Sequence, residues 1–287
     1  MKKIKYLLLA LITTMMGAET FAQVDTPSPS PGAKVEQAVG VNNFSIEYSR
    51  PGVKGRELFV DVESWGQRWR TGANAGTFIE FDADAAFGGQ KVPAGRYMIF
   101  TIPGQEEWTW SLYSDLSIGG NVSAYDEKNE VASWTSKTET WDQNVERLTF
   151  TFNNVADNST DVAMYWGKYY TSFNVTVDTE SQVMAQIEDA MKNPMGRVGN
   201  LYAQSASYYY QNDKDLDKAL DWMTKAIEIN PNAFWNIHTK AQIQAKKGDK
   251  KGAIATAQLS LEKAKANDGG DFGYIKRNED AIAEWKK

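Results

Sequence analysis

The 287-residue chain contains no cysteine and a single histidine, His238. Without thiols there can be no disulfide, no cysteine nucleophile, no thiolate metal site and no lipid-modified cysteine at the N-terminus. Because the one histidine lies beyond residue 200, the preceding two-thirds cannot assemble a Ser-His-Asp triad or a histidine metal centre. Zinc, iron and copper lose their usual ligands, and no cofactor or metal is expected. No glycine-rich phosphate loop opens a helix. Proline is also scarce, at 8 residues, and three of them (Pro27, Pro29, Pro31) fall in one short stretch.

What is present begins with an address. Lys2, Lys3 and Lys5 precede an apolar run from Tyr6 to Met16, followed by small residues up to Ala22-Gln23. That order describes a secretory signal peptide over residues 1–22. The run falls short of the roughly 20 residues that span a bilayer, and no later segment is longer or more apolar. The expectation is export to a periplasm or secretion, with no membrane span after cleavage. Net charge is −6. Residues 23–177 hold 20 acids against 12 bases, whereas 178–287 balance at 16 of each. Such acidity argues against a nucleic-acid partner.

Two periods divide the remainder. Residues 23–38 read as a Pro-rich linker or the start of the first strand. Over 39–177 apolar residues alternate with polar ones: Phe44, Ile46, Tyr48; Trp108, Trp110, Leu112; Leu148, Phe150, Phe152; Val162, Met164, Trp166; and Phe173, Val175, Val177. Turn signals such as Gly88-Gly89 and Pro93-Ala94-Gly95 separate them, which predicts an all-β antiparallel sandwich or barrel. From 178 to 287 the period becomes 3.6. An offset of 34 aligns Ala203 with Ile237, Ala219 with Ala253 and Ile227 with Leu261. Ala203, Ser207, Tyr210, Ala219, Ala226 and Pro231 occupy the small, aromatic and terminating positions of a tetratricopeptide repeat. Two such repeats, a bracing helix at 181–191 and a final helix near Tyr274–Trp285 are expected. The tail is then either a groove for a partner peptide or a structural brace.

Candidate chemistry is thin. Asp157-x-Ser159-x-Asp161 and Asp213-x-Asp215-x-Asp217 echo the start of a calcium loop but lack its sixth-position glycine and final glutamate. Glu80 and Asp82 share one face of an expected strand, about 6–7 Å apart at Cα, in the range of a glycosidase carboxylate pair. The densest feature is a cationic block among turn glycines: Arg50, Lys54, Arg56, Trp69, Arg70, Thr71 and Asn74, with Trp65 and Arg68 between them. Arginine forks suit carboxylate, sulfate or phosphate and stack on tryptophan. One reading makes the block a pocket for a small anionic or sugar ligand. The other pairs its arginines with Glu57, Asp61, Glu63 and Glu80 to staple a long loop.

The same block carries a resemblance. Ser49-Arg50-Pro51, Lys54-Gly55-Arg56, Trp69-Arg70-Thr71-Gly72-Ala73-Asn74, Thr77, Glu80-Phe81, Pro93-Ala94-Gly95 and Phe100-Thr101-Ile102-Pro103-Gly104 with Trp108 resemble the domain of unknown function 2911 family from about Val39 to Val177. At 64–67 this chain has Ser-Trp-Gly-Gln where such sequences more often carry Pro-Tyr-Gly-Lys. The resemblance implies an exported, mostly β domain, often followed by a helical repeat tail, and supplies no activity. Three functions remain open from sequence: a non-catalytic periplasmic binding protein, a carboxylate-based carbohydrate-active hydrolase using Glu80 and Asp82, and an envelope assembly scaffold.

Overall fold

The computed structural model describes residues 26–192, 194 and 196–287; the signal peptide assigned to residues 1–22 lies outside them. The chain divides into two compact units, one running through Thr179 and the other from Glu180 to Lys287.

The first unit is an open antiparallel sandwich, as expected. One sheet comprises β1 (Gly32–Val39), β2 (Asn42–Ser49), β3 (Thr77–Phe81), β6 (Gly95–Ile102), β7 (Glu107–Tyr113) and β8 (Glu130–Lys137), in the order β1-β2-β3-β6-β7-β8. The other comprises β4 (Ala85–Phe87), β5 (Gln90–Val92), β9 (Glu139–Asn153) and β10 (Ser159–Val177), in the order β5-β4-β10-β9. The stretch read as linker therefore joins the sheet at Gly32. Ala33 and Val35 turn toward the core while Lys34 and Glu36 face water. Strand β2 shows the rule most clearly: Phe44, Ile46 and Tyr48 are buried, and their polar neighbours are not. Gly88 and Gly89, with φ of +53° and +79°, close the β4–β5 hairpin in a two-residue loop that favours left-handed residues.

Strand β6 is apolar on both faces for a reason. Its inward Tyr97 and Ile99 join the main core, while Met98 and Phe100 form a second cluster with Tyr113, Leu116, Ile118, Val122 and Tyr125. Residues 114–129 cover this outer face, so Met98 and Phe100 are hidden from water while Arg96 at the strand's start stays exposed. Strand β8, not anticipated, hides because its inward positions are Ala132, Trp134 and Ser136, only one of them large.

Strand β10 doubles back on itself. Asn174 Nδ2 donates to Asp161 Oδ1 at 2.8 Å, and the Val177 N–H donates to Asn158 O at 2.9 Å. A straight strand would hold Asp161 and Asn174 roughly 40 Å apart at about 3.3 Å per residue. The fold-back occurs at Gly167 (φ +58°), where an added Cβ would lie 2.7 Å from Leu58 Cδ1. The two arms put Val162, Met164 and Trp166, then Phe173, Val175 and Val177, into the core. These are the two alternating runs visible in the sequence.

The second unit contains α1 (Thr179–Lys192), α2 (Val198–Gln211), α3 (Leu216–Ile229), α4 (Phe234–Lys246), α5 (Lys250–Lys265) and α6 (Tyr274–Trp285). Asp215 starts α3 by accepting the N–H groups of Asp217 and Lys218, and Asp249 starts α5 through Gly252. The starts of α3 and α5 lie 34 residues apart. Ala206, Ala219, Ala226, Ala241, Ala253 and Ala257 are at most 1% exposed, so the helices approach closely where side chains are small. Val183, Met184, Ile187 and Met191 of α1 pack onto the α2–α3 core, while Ile282 and Trp285 of α6 cover Ala241, Ala257 and Leu261. Two hairpins alone would leave both apolar ends wet, and these flanking helices remove that cost.

His238 is buried, at 6% exposure. Its Nδ1 lies 2.8 Å from Asn278 Oδ1; Asn278 Nδ2 donates to Ser260 Oγ (2.9 Å) and Tyr274 O (2.8 Å). The network ties α4, α5 and α6 together. Burial pushes the imidazole below its ordinary value of 6.5, Arg277 adds to the push, and the Asn278 bond opposes it. The unfolded chain therefore binds this proton more readily than the folded one. The stabilisation is complete above pH 6.5 and is lost as pH falls below it. Far-ultraviolet circular-dichroism melts of the whole chain should show the helical transition falling between about pH 7.5 and about pH 5. His238→Gln keeps an N–H for Asn278 without a titrating charge and should flatten that fall. An equal fall in the variant would remove His238 as its source.

Candidate functional site

Strands β2 and β3 are neighbours, yet residues 50–76 separate them, far more than a hairpin requires. The excess chain is fully used. Residues 50–53 lie along β9: the Val53 N–H donates to Glu146 O (2.8 Å), the Leu148 N–H donates to Pro51 O (3.0 Å), and Gly52 bridges Arg147. The chain then drops Phe59, 3% exposed, into a ring of Trp65, Trp69, Trp108, Trp166 and Tyr169, with centroids 4.3–6.4 Å away. Trp69 follows, exchanging backbone hydrogen bonds with Thr101 (2.7 and 2.9 Å) and stacking on Trp166 at 5.4 Å. The loop thus contacts a strand of each sheet and plugs the space between them.

This path fixes where the candidate ligand residues sit. Arg50 donates from Nε to Leu148 O (2.9 Å) and from its terminal nitrogen to Thr149 Oγ1 (2.7 Å). Arg56 donates to Val53 O (3.0 Å) and Gly52 O (2.6 Å), and Arg70 to Asn74 O (2.9 Å). Asn74 donates to Ser30 O (3.1 Å) and Ser49 Oγ (3.3 Å). Trp69 and Thr71 are core residues, 2% and 0% exposed, rather than ligand contacts. The Trp69 indole N–H reaches Gly72 O (3.0 Å), and the Thr71 hydroxyl lies against Ile99 O (3.3 Å) and Thr101 Oγ1 (3.1 Å). Lys54 is exposed, and its backbone N–H donates to Glu146 Oε1 at 3.0 Å.

The block is therefore a staple, but its partners differ from those expected. Arg50, Arg56 and Arg70 hold backbone carbonyls instead of Glu57, Asp61, Glu63 and Glu80. A guanidinium that meets carbonyls desolvates one charge, whereas a buried ion pair desolvates two. Arg68 leaves the group: its guanidinium lies 3.7 Å over the Tyr125 ring, whose hydroxyl donates to Glu130 at 2.5 Å. Burial, then the Glu130 bond, push the Tyr125 hydroxyl well above its ordinary range. Burial likewise raises the Glu63 carboxyl, with the Arg70 charge opposing. Arg56 does line a cavity of about 380 Å³, floored by Val53 and Leu58 and rimmed by Glu57, Asn144 and Lys168.

Glu80 and Asp82 lie on the outer face of β3 and just beyond it, in a shallow depression of about 540 Å³ shared with Lys34, Glu36, Asn43 and Ser45. Glu80 is 54% exposed and bonds Arg96 at 3.2 Å; Arg96 also holds Glu47 at 2.8 Å. Asp82 accepts two hydrogen bonds from Asn43, at 2.9 and 2.7 Å. An acid–base pair needs one carboxyl shielded from water so that it keeps its proton. This open, already partnered face does not provide that. Among the described residues no group of three or more His, Cys, Asp or Glu is placed to hold a metal. Asp161 accepts from Asn154 and Asn174, and Asp213 and Asp217 pair with Lys246 and Lys247.

Two surfaces were not assigned residues by sequence reasoning. On the helical unit, cavities of about 340 and 480 Å³ run along α2 and share Asn200, Trp235 and Asn236. On the sandwich, Trp141, Tyr165 and Tyr170 group on the outside of the second sheet. The signal for the latter was Tyr165 between the inward Met164 and Trp166, but only the fold-back of β10 brings Tyr170 beside it.

If the arginines are staples, their loss is a stability effect. Arg50→Ala strips two hydrogen bonds from the β9 edge and should lower the unfolding free energy by about 1–3 kcal/mol. Arg70→Ala loses one partly exposed bond and should cost less than about 1 kcal/mol. Urea titration of the two variants checks the order; a reversed order would show that Arg50 does not hold the loop.

No curated protein matches the chain. A family model described as a protein of unknown function, DUF2911, matches residues 30–175. That span takes in the sandwich from its first strand through the second arm of β10 and includes the whole stapled loop, so the chain belongs to the DUF2911 family.

Proposed function

We propose that this protein is an exported, non-catalytic binding protein whose helical unit docks an extended peptide segment of a partner. The observation that carries the reading is the groove along α2. Asn200, Gln204, Gln211 and Asn236 present amides to it, Ala203 and Ser207 leave room, and Trp235, 42% exposed, forms a wall. Each amide both donates and accepts, which matches the alternating N–H and C=O groups of a peptide backbone. Among the described residues the lining has no acidic side chain, and Arg197 marks one end. The fitting occupant is a neutral stretch of main chain with an apolar side chain against Trp235. Helix hairpins stacked in the tetratricopeptide manner support such a groove, because small residues keep its floor low. Export rests on the lysine-led apolar leader in the sequence, and the exposure and existing partners of Glu80 and Asp82 disfavour the hydrolase.

The test is peptide selection. Peptides chosen from a random library on residues 23–287 should bind the wild-type chain, and Trp235→Ala and Asn200→Ala should each weaken them at least tenfold at unchanged melting temperature. A central aromatic anchor commonly supplies 2 kcal/mol or more, roughly thirtyfold in affinity. Selected peptides that bind both variants as tightly as wild type would reject the groove.

A further inference from the structure

We infer that the outer face of the second sheet, built around Trp141, Tyr165 and Tyr170, is a binding surface for a neutral glycan. Alternation sets the direction of these side chains. Met164 and Trp166 point into the core, so Tyr165 points out; Thr171 is buried with its hydroxyl against Ser136, so Tyr170 points out. The fold-back of β10 stacks the two tyrosines on each other, 4.8 Å apart with 28° between planes, a base against which the Trp141 indole is propped. Trp141 from β9 closes the group at 5.4 Å from Tyr165 and 5.9 Å from Tyr170 while staying 41% exposed. Water-facing strand positions ordinarily carry polar side chains, and three packed rings there form an unusual platform.

The polar groups beside the rings choose the occupant. Tyr170 donates its hydroxyl to Ser172 Oγ (3.0 Å), and Asn153 Nδ2 donates to Tyr165 Oη (3.2 Å). Asn174 spends Nδ2 on Thr160 O (3.3 Å) and Asp161 Oδ1 (2.8 Å); Asn154 donates to Asp161 Oδ2 (2.8 Å). These bonds use both amide hydrogens of Asn174 and one each of Asn153 and Asn154, so acceptors outnumber donors beside the rings: the Asn amide oxygens and the remaining lone pairs of Asp161. An apolar protein face would cover these acceptors without supplying donors, which costs about 1–3 kcal/mol for each group left unpaired. A pyranose satisfies both halves. Its C–H face meets the exposed Trp141 indole, and its equatorial hydroxyls donate in the sugar-ring plane. Asp161, with Asp142 next to Trp141 in the chain, disfavours a uronate.

This surface belongs to the sandwich and does not depend on the helical groove. The test is affinity electrophoresis of residues 23–287 through gels containing hydroxyethylcellulose, xylan, galactomannan or alginate. Expected is retardation by at least one neutral polysaccharide and none by alginate. Trp141→Ala and Tyr170→Ala should each raise the dissociation constant at least tenfold with unchanged circular dichroism. Trp141→Phe should retain binding, and Trp235→Ala should leave it untouched. Migration unaltered in all three neutral gels overturns the inference, as does retardation that survives both alanine variants. A change of oligomeric mass in Trp141→Ala without any glycan effect would assign the face to self-association instead.

Discussion

The sandwich depends on one insertion: Phe59 and Trp69, carried on the loop between β2 and β3, fill the space between the sheets. Without them Trp108 and Trp166 would face a void, and burial of each large aromatic is worth roughly 1.5–3 kcal/mol. Delivery has a conformational cost. Lys54, Phe59, Glu63, Thr71 and Asn74 all adopt positive φ, five such non-glycine residues in one loop. Left-handed backbone disfavours a β-branched residue such as Thr71 in particular. The strain persists because the surroundings over-determine the path: the loop is bonded to β9 at one end and to Thr101 at the other, and its arginines bridge its own turns to neighbouring carbonyls.

That constraint reassigns the residues that identify the family. Ser49-Arg50-Pro51, Lys54-Gly55-Arg56 and Trp69–Asn74 look like a ligand site because cations, aromatics and turn glycines cluster. Their geometry is that of a closure device. The backbone illustrates it: the Val53 N–H on Glu146 O and the Leu148 N–H on Pro51 O, on either side of Gly52, lay the chain along β9. A motif of this kind specifies how the sandwich is shut and says nothing about what it binds.

Much of the architecture was legible in the sequence because it depends on periodicity. The alternating runs of β2, β7, β9 and both arms of β10, and the last helix from Tyr274 to Trp285, follow from side-chain spacing alone. The less legible parts depend on distance. Strand β8 carries one large inward residue, so its alternation is faint. The partners of Arg50, Arg56 and Arg70 could not be read, since backbone carbonyls are present everywhere and leave no compositional trace. The pairing of Tyr165 with Tyr170 required the turn at Gly167, and the burial of His238 required the docking of α6 through Asn278.

The proposed reading of the molecule as a binder follows from how its polar groups are distributed. Chemistry by carboxylates or arginines needs such groups shielded and unspent. Here the arginines of the family block are spent on carbonyls, and Glu80 and Asp82 stand wet and partnered by Arg96 and Asn43. What remains available is mostly neutral and oriented: amides beside Trp235, and amides, hydroxyls and the Asp161 carboxylate beside Trp141. Both surfaces combine a half-exposed indole with neutral amides or hydroxyls, with Arg197 at the end of one and Asp161 beside the other. That combination suits ligands recognised by shape and hydrogen bonding, and such recognition is weakly screened by salt. For a chain whose acidic excess lies in the sandwich, neutral recognition also avoids the repulsion that an anionic ligand would meet.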